Sequence, residues 1–200
     1  MKKTAVMLVA LLTLPMANPQ LTFAQTTTET TSTMTNQVAT LPILEDVASI
    51  EDIASLIEAE NKDLLIGTIQ LFISQDDKLY QVEAYQGQDQ TTYYIDALTK
   101  EILDQKASTD DDQDDEDDIS AHLANIIDMH QAADLALKEI GAGQVVYLEL
   151  EPDDNNKNID WLIQIQDGQK YHEVTIDALT GKVTEVDHDE EAKTSSFKRN

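Results

Sequence analysis

Residues 95–99, Ile-Asp-Ala-Leu-Thr, return unchanged as residues 176–180. Self-similarity at a fixed period means that one small unit is built twice, so the fold has to be read as a repeat. Carried backward at the same spacing, the alignment pairs Tyr80 with Trp161, Val82 with Ile163, Ala84 with Ile165 and Gly87 with Gly168. Before Tyr80 the spacing is shorter, because the loop at residues 75–78 is briefer than its counterpart at 153–158. With that one gap Ser49, Ile50, Ile53, Ala54 and Leu56 fall on Asp128, Met129, Ala132, Ala133 and Leu135.

Each copy opens with an apolar stripe at helical spacing. Ile50, Ile53, Ala54 and Ile57 form it in the first copy, and Met129, Ala132, Ala133 and Ala136 in the second. Ser49 and Asp128 are placed to cap the helix starts, and Gly141 to end the second helix. Alternating runs follow at residues 66–73 and 145–150, then at Tyr80, Val82, Ala84 and at Trp161, Ile163, Ile165, the pattern of half-buried antiparallel strands. Gly87 and Gly168 suit tight hairpins, after which Tyr93 and Ile95, or Val174 and Ile176, supply a third strand. The expected fold class is α+β, with two tandem modules, each one amphipathic helix packed on a small antiparallel sheet in the order helix, strand, strand, strand.

The repeated Asp-Ala-Leu-Thr reads as a turn. Asp96, Thr99, Asp177 and Thr180 are expected to bond backbone amides there, and Gly181 to adopt the left-handed conformation that its lack of a Cβ permits. The first copy has Lys100 at the glycine position, at a cost of roughly 1 kcal/mol. A structural role for both aspartates follows in preference to a catalytic one.

Residues 1–24 carry Lys2 and Lys3, a short apolar run and a terminal Ala24, the pattern of a signal peptide too short to span a bilayer. Residues 25–42 are Thr-rich and read as a disordered spacer. No stable membrane insertion is expected after cleavage, and localisation is expected to be secreted or associated with the cell envelope. The absence of cysteine removes disulfides as a source of stability. A net charge of minus 26 repels phosphate backbones, which argues against nucleic-acid partners.

The run from Asp128 to Gly141, the strand letters Val145-Val146-Tyr147-Leu148-Glu149-Leu150-Glu151, and Tyr171 through Val183 with its Asp-Ala-Leu-Thr-Gly together resemble a PepSY domain. Residues 49–103 resemble a more divergent copy, carried by the letters at 80–85 and 93–99 and departing at Lys100. The resemblance implies a helix on a small antiparallel sheet, exported bacterial proteins, peptidase propeptides, and inhibition or modulation of peptidases. It carries no catalytic residues and no cofactor. The domain reading is a PepSY-like module at 43–104, an acidic linker at 105–118, a PepSY module at 119–187 and a tail at 188–200.

His122, His130, His172 and His188 lack the spacing of a zinc peptidase helix, and no serine sits in a nucleophile elbow. The chain is therefore not expected to be an enzyme. Residues 110–118 hold eight acids in nine positions, yet with Asp110, Asp112 and Asp114 as the first ligands of a calcium loop, Asp115 stands where glycine is required and Ala121 where glutamate is. Asp110, Asp112, Asp114 and Asp117 remain candidates only for loose calcium binding. Alternation places Tyr94 opposite Tyr93 and Tyr85 opposite Ala84, which makes Tyr85 and Tyr94 candidates for an exposed partner-binding surface. The functional expectation is a secreted, non-enzymatic binder of an extracellular protein, a peptidase above all; the alternative is an acidic, cation-responsive envelope or matrix component.

Overall fold

Two helices start where the capping residues stand. The Ser49 hydroxyl accepts from the Asp52 amide at 3.1 Å to open α1 (Ile50–Glu60), and the Asp128 carboxylate accepts from the Gln131 amide at 2.9 Å to open α2 (Met129–Ile140). Gly141, at φ 84°, ends α2 in the left-handed conformation, whereas α1 ends at Asn61 in an extended one. The buried residues of each helix are the four of its predicted stripe.

The computed structural model describes residues 42–109, 118–152, 158–189 and 191–198, all within the unit Gln37–Asn200. Eight strands follow the helices in two sets of four: β1 (Leu65–Ile73), β2 (Lys78–Gln86), β3 (Asp89–Asp96) and β4 (Ile102–Thr109), then β5 (Gln144–Pro152), β6 (Ile159–Asp167), β7 (Lys170–Asp177) and β8 (Lys182–Asp189). They form one antiparallel sheet in the order β4-β3-β2-β1-β5-β6-β7-β8. The expectation of two small sheets thus gives way to a continuous one, joined where β1 pairs with β5. Its join matches apolar pairs, Ile69 with Leu150 and Leu71 with Leu148, on the face that the helices cover. Such rows could not be left at an edge without exposing the core.

Each half also gains a fourth strand beyond the expected three. In β4 the ladder takes in residues 105–109 of the segment read as linker, and β8 extends to Asp189, into the segment read as tail. Bulges fall at matching places: at Gly67 in β1 and Val146 in β5, and next to the turns that start β4 and β8. Short 3-10 turns at Ile119–Ala121 and Leu123–Asn125 fill the approach to α2, with Ile119 fully buried and Asp118 accepting from the Ser120 and Ile66 amides. The segment 1–24 read as a signal peptide, nearly all of the segment 25–42 read as a spacer, and Asp110, Asp112, Asp114 and Asp117 lie outside the described residues.

The repeated pentapeptide is a staple between helix and sheet. Ala97 accepts from the Ala48 amide at 2.8 Å and donates to the Lys78 carbonyl; Ala178 accepts from the Ile127 amide at 2.8 Å and donates to the Ile159 carbonyl. A ring on the second strand of each half fixes the same loop from below. The Tyr80 hydroxyl donates to the Ala48 carbonyl at 2.6 Å and the Trp161 indole to the Ile127 carbonyl at 3.0 Å. Burial, with Glu51 and Asp52 nearby, holds the Tyr80 phenol far above the ordinary tyrosine range, so it keeps the proton that this bond requires.

In the turns themselves Asp96 accepts from the Leu98 and Thr99 amides, and Asp177 from the Leu179 and Thr180 amides, all at 2.8 to 3.0 Å. The threonines contribute backbone N–H groups rather than their hydroxyls. Gly181 has φ 70° and Lys100 φ 61°, so both turns share one shape and the lysine carries the steric cost. Two substitutions should therefore have opposite signs. Gly181→Ala is expected to lower stability by about 1 kcal/mol, and Lys100→Gly to raise it by somewhat less than that because glycine also loosens the unfolded chain. Urea unfolding midpoints measure both.

Candidate functional site

One face of the sheet is covered by α1 and α2; the other is polar and is crossed by the end of the chain. Along the β1–β5 join this second face presents Gln70 beside Glu149 and Phe72 beside Tyr147. The Glu149 carboxylate accepts from Gln70 Nε2 at 2.7 Å and from the Tyr147 hydroxyl at 2.6 Å, and the Phe72 and Tyr147 rings meet at 4.9 Å between centroids. Burial and the neighbouring carboxylates keep the Tyr147 phenol protonated well beyond its usual range.

Next to this pair Glu151, Asp160 and Glu173 add further carboxylates. Burial first, then the charges of Glu149, Asp160 and Glu173, push the Glu151 carboxyl up to about 7, against the opposing pull of Lys193. The ammonium of Lys193 lies 3.3 Å from Glu173 and brings positive charge to an otherwise acidic patch. Among the described residues no group of three or more His, Cys, Asp and Glu side chains is arranged to hold a metal ion.

Residues 191–198 run over this face from the second half to the first. Gln164, fully buried on β6, donates from Nε2 to the Glu191 carbonyl at 3.1 Å and accepts the Lys193 amide at 2.9 Å. Further along, the Ser195 hydroxyl donates to Gln81 Oε1 on β2 at 3.2 Å. On β3 the Tyr94 hydroxyl lies 2.8 Å from that of Ser196, and its ring stacks on Phe197 with centroids 5.0 Å apart. Lys106 on β4 sits over the same Tyr94 ring at 4.7 Å.

These contacts correct the expectation for the two tyrosines. Tyr94 does face away from Tyr93, but it is only 3% exposed because the chain end covers it. Tyr85 is half-buried, its ring packed where a Cβ on Gly67 would collide with it, and its hydroxyl donates to Glu83. Neither is a free contact surface. The residues that do assemble a site, Gln164, Glu173, Glu149 and Lys193, were not singled out from the sequence. One signal was available: residues 191–200 contain three of the thirteen Lys and Arg residues and a single acid, in an otherwise strongly acidic chain.

Residues 126–187, from the approach to α2 through most of β8, match the family described as peptidase propeptide and YPEB domain, PepSY. This segment is a PepSY domain. Its stapled turn, its α2 and its strands β5 to β7 are the elements described above, and Gln164 and Glu173 of the polar face lie within it. Among solved structures, the chain is similar to a Clostridium difficile 630 protein assigned as a lipoprotein, at 24% identity and a TM-score of 0.61, over 71% of this chain and 93% of that one. At that identity the likeness concerns the fold. Comparison with curated proteins finds no match. Among the described residues, no helix is long and apolar enough to cross a membrane.

The polar face of the PepSY half makes a pH prediction. A carboxyl whose folded-state pKa is raised binds its proton more tightly in the folded than in the unfolded chain, so its contribution to stability falls as pH rises from the ordinary glutamate range toward 7. Glu151→Gln should remove that dependence. The variant is expected to melt at a higher temperature than the parent at pH 8, with the gap closing by about pH 4.5, below which both carry a neutral side chain. Thermal melts across that range measure it.

Proposed function

We propose that this chain is a secreted, non-catalytic modulator of an extracellular peptidase, in which residues 43–104 are a diverged second PepSY copy beside the PepSY domain. The observation that carries the reading is the match of residues 126–187 to the peptidase propeptide family. The first half supports the tandem reading through its repeated staple: Ala97 and Tyr80 make the bonds that Ala178 and Trp161 make. The signal peptide read in residues 1–24 supports export.

A physical route to a peptidase exists at the sheet edges. Peptidase clefts bind extended chains through main-chain hydrogen bonds, and strand addition uses the same groups. Among the described residues β4 and β8 stand at the two ends of the sheet, and residues 104–109 of β4 are exposed. β8 is less suited, since Glu185 and Asp187 add negative charge along it. We assign the peptidase contact to β4.

The chain, mixed with each peptidase co-secreted by its source, should slow cleavage of a peptide substrate in a saturating manner near one equivalent. No effect on any of them at equimolar amounts would contradict the reading. Calcium uptake at millimolar levels by calorimetry, with no effect on proteolysis, would favour the acidic envelope component instead.

A further inference from the structure

We propose that the polar face of the sheet is a binding track for an extended, basic peptide segment of a partner protein, and that the chain's own residues 191–198 occupy this track in cis. The surface is the one opposite the helices, so the inference does not rest on the β4 edge or on the peptidase reading.

The central observation is how Gln164 holds the chain end. Its carboxamide donates to the carbonyl of residue 191 and accepts from the amide of residue 193. Those are the two groups that a residue of a neighbouring parallel strand would engage on either side of Ala192. A fully buried side chain thus acts as a piece of backbone, and it recognises main-chain groups that any extended peptide offers. This contact is independent of the occupant's sequence.

Selectivity comes from what lies to either side. Before the midpoint of the track Glu173 pairs with Lys193, and Glu149 and Glu151 lie close enough to couple to the same charge network. Glu149 is buried and Glu151 and Glu173 are half-buried, and carboxylates held this near one another favour a cationic side chain and disfavour an anionic one. Four residues later Tyr94 offers a stacking surface to Phe197, with Gln81 taking a hydroxyl between them. The track therefore selects an extended segment with Lys or Arg followed at the fourth position by an aromatic residue.

The fit of the cis occupant is incomplete, as expected of a segment that can be exchanged. A groove of about 550 Å³ bordered by Phe72, Val146, Tyr171 and Phe197 opens along the chain end, and a second of about 320 Å³ lies between it and Gln70 and Tyr147. The helix-covered face, by contrast, is lined by fully buried apolar residues. The contacts of residues 191–198 include the hydrogen bonds to Gln164, Gln81 and Tyr94, the ion pair of Lys193 with Glu173 and the stacking of Phe197.

The test uses the full chain and a labelled peptide copying residues 192–200 with arginine in place of each lysine. Loosening the cis segment with Lys193→Ala and Phe197→Ala together should raise affinity for this peptide at least about tenfold by fluorescence anisotropy. Adding Gln164→Leu to that background should abolish the gain, and a peptide with glutamate at the basic positions should not bind. Should the loosened chain fail to fold, the parent chain still decides: excess basic peptide should speed amide hydrogen exchange in residues 191–198 at least about tenfold by displacing them. Unchanged exchange in the parent chain, equal weak binding by a folded loosened variant, or equal binding of the acidic peptide would overturn the proposal. So would concentration-dependent dimerisation of the loosened chain with no peptide uptake, because the occupant would then be a second copy.

Discussion

The pairing of β1 with β5 holds this molecule together as one body. Four residue pairs carry it, and they serve both faces at once: Ile69 with Leu150 and Leu71 with Leu148 continue the apolar layer under the helices, while Gln70 with Glu149 and Phe72 with Tyr147 continue the polar face. A unit of about sixty residues without disulfides buries too little surface to be more than marginally stable alone. Joining the two halves covers the flank that each would otherwise expose, and among the described residues leaves β4 and β8 as the outer strands. The path of residues 191–198 over the polar face is built across that join.

The polar face shows what the join makes available. Two similar halves meet there, and residues 191–198, which follow β8 and cross from the second half to the first, break the symmetry between them. Gln164 of β6 grips their backbone, whereas the first half has Glu83 at the corresponding position, turned to Tyr85 and Gln90 of its own half. Tyr94 in the first half and Glu173 in the second then become the two ends of a single track. Neither half could form it alone.

Much of the fold could be read from letters because its determinants are local. Ser49, Asp128 and Gly141 cap helices wherever they stand, and strict alternation through Tyr80, Val82 and Ala84 forces one strand face inward. The Asp96 and Asp177 turns are likewise set by a side chain reaching amides two and three residues away. What stayed hidden depends on residues distant in sequence. The β1–β5 join pairs positions nearly eighty residues apart, and alternation alone does not say which strand flank is covered. The fourth strand of the first half escaped because β4 is exposed along most of its length and has little hydrophobic signature, whereas Val183 and Val186 mark an extended pattern after Gly181 in the second. Alternation makes Tyr94 a candidate for exposure, but its cover comes from residues 191–198, a polar segment whose packing no periodicity announces. The site itself was illegible for the same reason: Gln164, Glu173 and Lys193 are ordinary surface residue types until the fold brings them together.

The most direct measurement of the account is whether the two halves unfold together. Trp161 fluorescence reports the second half, and amide signals of Val82 and Tyr93 in two-dimensional nuclear magnetic resonance report the first. Followed through one urea titration, they should share a single midpoint, because the join makes the sheet one cooperative unit. Two midpoints, with the first half lost while Trp161 remains buried, would contradict it and return the molecule to a pair of independent modules.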